Sequence, residues 1–79
     1  MRVVTEIPHP QFKITVFSWN NKYLIKLEAG QLEQTYKVSE MELTSEDDIN
    51  TLVSGAFLNN ATAIFLQMRQ NFGQAMEAI

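Results

Sequence analysis

The spacing of apolar residues changes near position 43, and that change constrains the fold more than any other feature. Before it, apolar side chains recur at every second position. After it, they recur at every third or fourth. A period of two is the signature of a strand with one buried face, and a period near 3.6 is that of an amphipathic helix. The segments "FKITVFSW" (12–19), "KYLIKLEA" (22–29) and "QLEQTYKV" (31–38) therefore read as strands, and residues 44–79 as helix. "RVVTEI" (2–7) is a candidate fourth strand, ended by the prolines of "IPHP", which cannot donate to a ladder.

The turns fix the register. Asn20-Asn21 suits a two-residue hairpin, since asparagine tolerates positive φ. Trp19 then faces Lys22, Phe17 faces Leu24, Thr15 faces Lys26 and Lys13 faces Glu28. On the other face Ser18 meets Tyr23, Val16 meets Ile25, Ile14 meets Leu27 and Phe12 meets Ala29. The second set is almost wholly apolar, and a slip of one residue would mix the two. The third strand adds Leu32, Tyr36 and Val38 to the apolar face, with its turn at Ala29-Gly30 or Gly30-Gln31.

In the helical half, Thr44 or Ser45 is expected to cap a start between Leu43 and Glu46. Glu46, Asp47 and Asp48 suit the positive end of the helix dipole. An apolar stripe then runs from Ile49 through Phe57, Phe65 and Phe72 to Ile79. One straight helix of this length would reach ~50 Å and overhang a sheet whose strands span ~27 Å. The weak points at which it could break are Gly55 and Asn59-Asn60.

A chain of 79 residues supports one domain with a thin core. It has no cysteine, hence no disulfide and no thiolate-bound metal. The first residues lack the apolar run of a signal peptide, and no stretch is apolar enough to span a membrane. The expectation is a soluble cytoplasmic protein. Net charge is −3, and the acidity belongs to the second half, where Arg69 stands against Glu46, Asp47, Asp48 and Glu77.

The sequence offers no catalytic set. His9 lies between two prolines without a recognisable nucleophile, so it reads as a surface or strand-end residue. The carboxylates of "SEDD" (45–48) splay around a helix start rather than converge on a cation. Met41, Met68 and Met76 read as packing residues, and Tyr23 and Tyr36 as core. No metal site or cofactor is implied.

One constellation stands out. Phe17, Trp19 and Leu24 share the sheet face opposite the apolar one, among Lys13, Lys22, Lys26 and Lys37, with Glu28 and Glu33. Three readings compete for it. In the first, the chain's own N-terminal segment or overhanging helix covers the patch. A second copy or another protein could dock there, since exposed apolar patches mark interfaces and Trp is a frequent anchor. Or bases of a single-stranded nucleic acid could stack on the aromatics while the lysines hold phosphates.

The pieces Ile7-Pro8-His9-Pro10, Phe17-Ser18-Trp19-Asn20 and Leu32-Glu33-Gln34-Thr35-Tyr36-Lys37-Val38 resemble a group of short, uncharacterised bacterial proteins. That resemblance implies a small domain and brings no activity, cofactor or site residue. The reading is an α+β fold: an antiparallel three- or four-stranded meander, then a long or broken C-terminal helix packed on one sheet face. The expected function is a non-enzymatic protein-interaction module, a homodimer with no membrane association. Single-stranded nucleic-acid binding on the same face is the alternative.

Overall fold

The computed structural model describes all of residues 1–79. The fold is α+β, with an antiparallel sheet in the first half and helices in the second. Strands β1 (Arg2–Ile7), β2 (Lys13–Trp19), β3 (Lys22–Ala29) and β4 (Leu32–Ser39) form a meander in sequence order. A turn of 3-10 helix (Glu40–Glu42) follows, then helices α1 (Asp47–Leu52) and α2 (Gly55–Glu77). The chain forms two compact units, Met1–Ser45 and Glu46–Ile79, and their boundary falls close to the change of apolar period.

In the first unit the register is the one the alternation demands. Trp19 opposes Lys22, Phe17 opposes Leu24, Val16 opposes Ile25 and Ile14 opposes Leu27. Asn20 and Asn21 make the turn with φ of 53° and 62°, the left-handed region that asparagine tolerates. The next turn is Gly30-Gln31, since Ala29 opposes Leu32; Gly30 takes φ of 64° at no steric cost. The "RVVTEI" segment is a fourth strand, paired to β2 with a register shift between Val3 and Thr5.

The two faces of the sheet are sorted by this register. Ile14, Val16, Ile25 and Leu27 are at most 1% exposed, and Phe12 and Tyr23 are buried beside them. Tyr23 faces Val38 and Tyr36 faces Ile25, so the two tyrosines are not directly opposed. Gln34 is buried on the same face, where its Oε1 accepts a hydrogen bond from the Tyr36 hydroxyl at 2.6 Å. That bond offsets the cost of taking an amide out of water.

The helical unit departs from the expected capping. α1 begins at Asp47, and Glu46 holds the N-cap position rather than Thr44 or Ser45. Glu46 already has helical angles (φ −64°, ψ −23°), and its side chain makes no capping bond. Its carbonyl instead accepts from Ile49 N–H at 3.1 Å, so a tight turn opens the helix where a capped extended residue was expected. The acidic residues do lie at the dipole's positive end.

The helical half is two helices. Val53 leaves helical geometry (φ −90°, ψ 69°), Ser54 is extended and Gly55 takes φ of 51°. The Ser54 hydroxyl donates to Thr51 C=O at 2.7 Å and satisfies one carbonyl at the end of α1. The break thus uses Gly55, and Asn59-Asn60 run inside α2 without interruption. Ile49, Val53, Ala61 and Phe65 are buried. From Arg69 onward every residue is exposed, although Phe72, Ala75, Met76 and Ile79 continue the apolar stripe. Met41 is not a packing residue: it projects from the 3-10 turn between Glu40 and Glu42 and is 95% exposed. Met76 is 52% exposed.

Ile25 sits at the centre of the buried face with no exposed surface. Truncation of a buried isoleucine to alanine costs ~2–5 kcal/mol, a large part of a small domain's stability. Ile25→Ala is expected to lower the unfolding free energy measured in urea by that amount, with a correspondingly lower midpoint. Stability equal to the parent's would mean that the sheet's faces are assigned the wrong way round.

Candidate functional site

The open face of the sheet is built from the alternate residues of the four strands. One row across it runs Val3, Phe17, Leu24, Lys37. Beside it Trp19 opposes Lys22 at the Asn20-Asn21 end. In the other direction come Glu6, Thr15, Lys26 and Thr35, then Lys13, Glu28 and Glu33. The expected patch is therefore brought together as a contiguous corner: Phe17, Trp19 and Leu24 on adjacent rows of β2 and β3.

The corner is only partly covered. Trp19 is 49% exposed, whereas Phe17 and Leu24 are half-buried. Met1 joins Phe17, Leu24, Lys26, Glu33 and Thr35 around a hollow of about 230 Å³. The chain thus shields its own Phe17 and leaves much of the indole open. Val3, next to Phe17 on β1, is 54% exposed and extends the apolar surface.

The lysines divide into two kinds. Lys13 pairs with Glu6 at 3.9 Å and Lys26 pairs with Glu33 at 3.3 Å. Both pairs are largely in solvent, where such contacts contribute little to stability. They nonetheless cancel the positive field at that end of the face. Lys22 and Lys37 make no ion pair, and they are the cations directly opposite Trp19 and Leu24. The face is thus split into an ion-paired end and an aromatic end with two uncompensated positive charges.

Thr15 was not singled out by the alternation. It lies on the open face yet is only 4% exposed, between the longer side chains of Glu6 and Lys26 on the adjoining strands. Burial there comes from neighbours closing over a short side chain, which a period-two pattern does not encode.

His9 lies in the β1–β2 connection. Its ring stacks on Phe12 with centroids 4.0 Å apart, and its Nδ1 accepts the Gln11 N–H at 3.1 Å. With Nδ1 occupied as an acceptor, the neutral ring carries its proton on Nε2. Those contacts organise the loop around Pro8 and Pro10. No three His, Asp or Glu side chains converge where a metal ion could be held. No helix is long and apolar enough to cross a membrane.

No protein-family model, curated protein or solved structure matches this chain.

The half-exposed indole gives a direct optical check. In dilute solution Trp19 fluorescence is expected at the long wavelengths of a hydrated indole, with ready quenching by iodide. Short-wavelength emission protected from iodide would show that the chain covers its own tryptophan.

Proposed function

We propose that the protein is a non-enzymatic protein-interaction module of the cytoplasm that works as a homodimer and presents the corner of Phe17, Trp19 and Leu24 as a protein contact surface. The carrying observation is Trp19. A small domain has little apolar surface to spare, yet this one leaves its only tryptophan 49% exposed on a rigid strand. Trp is enriched among the residues that dominate interface energetics. Val3 at 54% exposure enlarges the same surface.

Self-association rests on a second observation. Beyond Met68, α2 keeps its apolar stripe in phase but buries none of it; Phe72 and Met76 are each 52% exposed. A domain of this size gains most by covering such surface with a second copy.

Lys22 and Lys37 support a second reading. Free ammonium groups beside an exposed indole are the elements of a single-strand nucleic-acid site. Against it stand the net charge of −3 and the glutamates that neutralise Lys13 and Lys26. The protein-contact reading is therefore preferred.

Light scattering at high micromolar concentration is expected to return twice the 9.1 kDa chain mass. A chain that stays monomeric at millimolar concentration would overturn the homodimer. A short oligothymidylate is expected to leave Trp19 fluorescence unchanged at physiological salt. Saturable quenching that weakens steeply with salt would replace the protein-contact reading by the nucleic-acid one.

A further inference from the structure

The sheet has two edges, β1 and β4, and they are not alike. β1 carries a register shift between Val3 and Thr5 and runs into Pro8 and Pro10. Bulges and prolines are the devices by which proteins blunt an edge. β4 has neither. Leu32–Ser39 runs for 8 residues with no proline, no glycine and an unbroken register against β3.

The backbone shows which groups of β4 are unused. Glu40 N–H donates to Asn21 C=O at 3.1 Å, so the Asn21–Glu40 opposition is a hydrogen-bonded one. Bonded and non-bonded oppositions alternate along an antiparallel ladder. Leu32, Gln34, Tyr36 and Val38 therefore turn their N–H and C=O groups toward β3. Glu33, Thr35 and Lys37 turn theirs away from the sheet, where no further strand lies. All three are exposed.

A second copy of β4 can meet this edge antiparallel only where outward-turned residues oppose outward-turned residues. Centring the pair on Glu33 or on Lys37 sets like charges face to face, which is destabilising. Centring it on Gln34 or Tyr36 leaves Glu33 and Lys37 opposite uncharged residues. Centring it on Thr35 places Glu33 opposite Lys37 of the partner subunit, and Lys37 opposite Glu33 of the partner subunit. On the other face it sets Leu32 against the partner's Val38 and Gln34 against the partner's Tyr36. One register out of the series satisfies backbone, charge and apolar face together.

We infer that two chains join through β4, antiparallel about a two-fold axis at Thr35, to make one continuous sheet from two four-stranded ones. This rests on the homodimer reading and places the contact at the β4 edge, without using the exposed stripe of α2. The axis runs through the sheet from face to face, so the two open faces lie on the same side. Glu33, already paired with Lys26, is then flanked by a second cation, and Lys37 loses its lack of a partner. The Trp19 corners stay uncovered, and the dimer presents two of them on one surface.

Charge exchange tests the register at exposed positions, where a substitution leaves the fold intact. Lys37→Glu turns both cross-axis attractions into repulsions and is expected to weaken dimerisation by about tenfold or more. Glu33→Lys is expected to do the same. Mixing the two single variants should yield a mixed dimer in native mass spectrometry, because one chain then carries only acids at the axis and the other only lysines. The double variant Glu33→Lys/Lys37→Glu should dimerise like the parent. Thr35→Pro removes an N–H that β3 does not use, so it should abolish the dimer with the strand circular dichroism retained. A monomeric parent would defeat the homodimer reading and this inference together. A dimeric parent whose single variants and Thr35→Pro stay dimeric would place the interface elsewhere and defeat the inference alone. Weakened single variants that do not pair on mixing would overturn the register about Thr35.

Discussion

The hairpin register set at Asn20-Asn21 is the constraint on which the first half of the structure depends. Side chains in a strand alternate faces, so the pairing of β2 with β3 decides as a unit which residues are buried. With Trp19 opposite Lys22, the four residues Ile14, Val16, Ile25 and Leu27 all fall on the buried face. The same choice obliges Phe17, Trp19 and Leu24 to share the other face. The exposed tryptophan is thus a consequence of where the turn is, and both asparagines take the positive φ that a tight connection there requires.

The open face then follows from electrostatics. Glu6, Glu28 and Glu33 lie with Lys13 and Lys26, and two of the resulting pairs are within ion-pair distance. Lys22 and Lys37 lie with the aromatic corner and make no ion pair within the chain. Separation of this kind on one sheet gives it an ion-paired end with one acid in excess and a positive, apolar end. A contact surface of that character favours a partner with apolar and acidic groups, and complementary charge contributes chiefly to encounter and orientation.

Much of this was legible in the sequence because period-two alternation is a strong signal when the turn residues agree with it. The β2–β3 pairing, the faces and the corner could be read directly from residues 12–29. The helical half was less legible. Apolar phase continues across Val53–Gly55 as though one helix ran through; Gly55 and Asn59-Asn60 are both poor helix formers, and only the backbone angles select Gly55 as the break. Thr44 and Ser45 are good capping types, but α1 starts later, from a turn with Glu46 at the N-cap position. Met41 has the composition of a packing residue and the position of a turn residue, and position decided. Edge strands are invisible to alternation altogether. That β4 ends the sheet, and that its outward groups belong to Glu33, Thr35 and Lys37, required the strand order and one turn hydrogen bond.

In the proposed dimer β4 is the edge at which two chains meet, and the Trp19 corner stays open. Amide hydrogen exchange followed residue by residue tests this contact most directly, because it reads the outward N–H groups themselves. At concentrations where the chain is dimeric, the amides of Glu33, Thr35 and Lys37 should exchange slowly, and dilution into the monomer range should release them selectively. Rapid exchange at those three amides in a sample whose measured mass is that of a dimer would rule out a contact through β4.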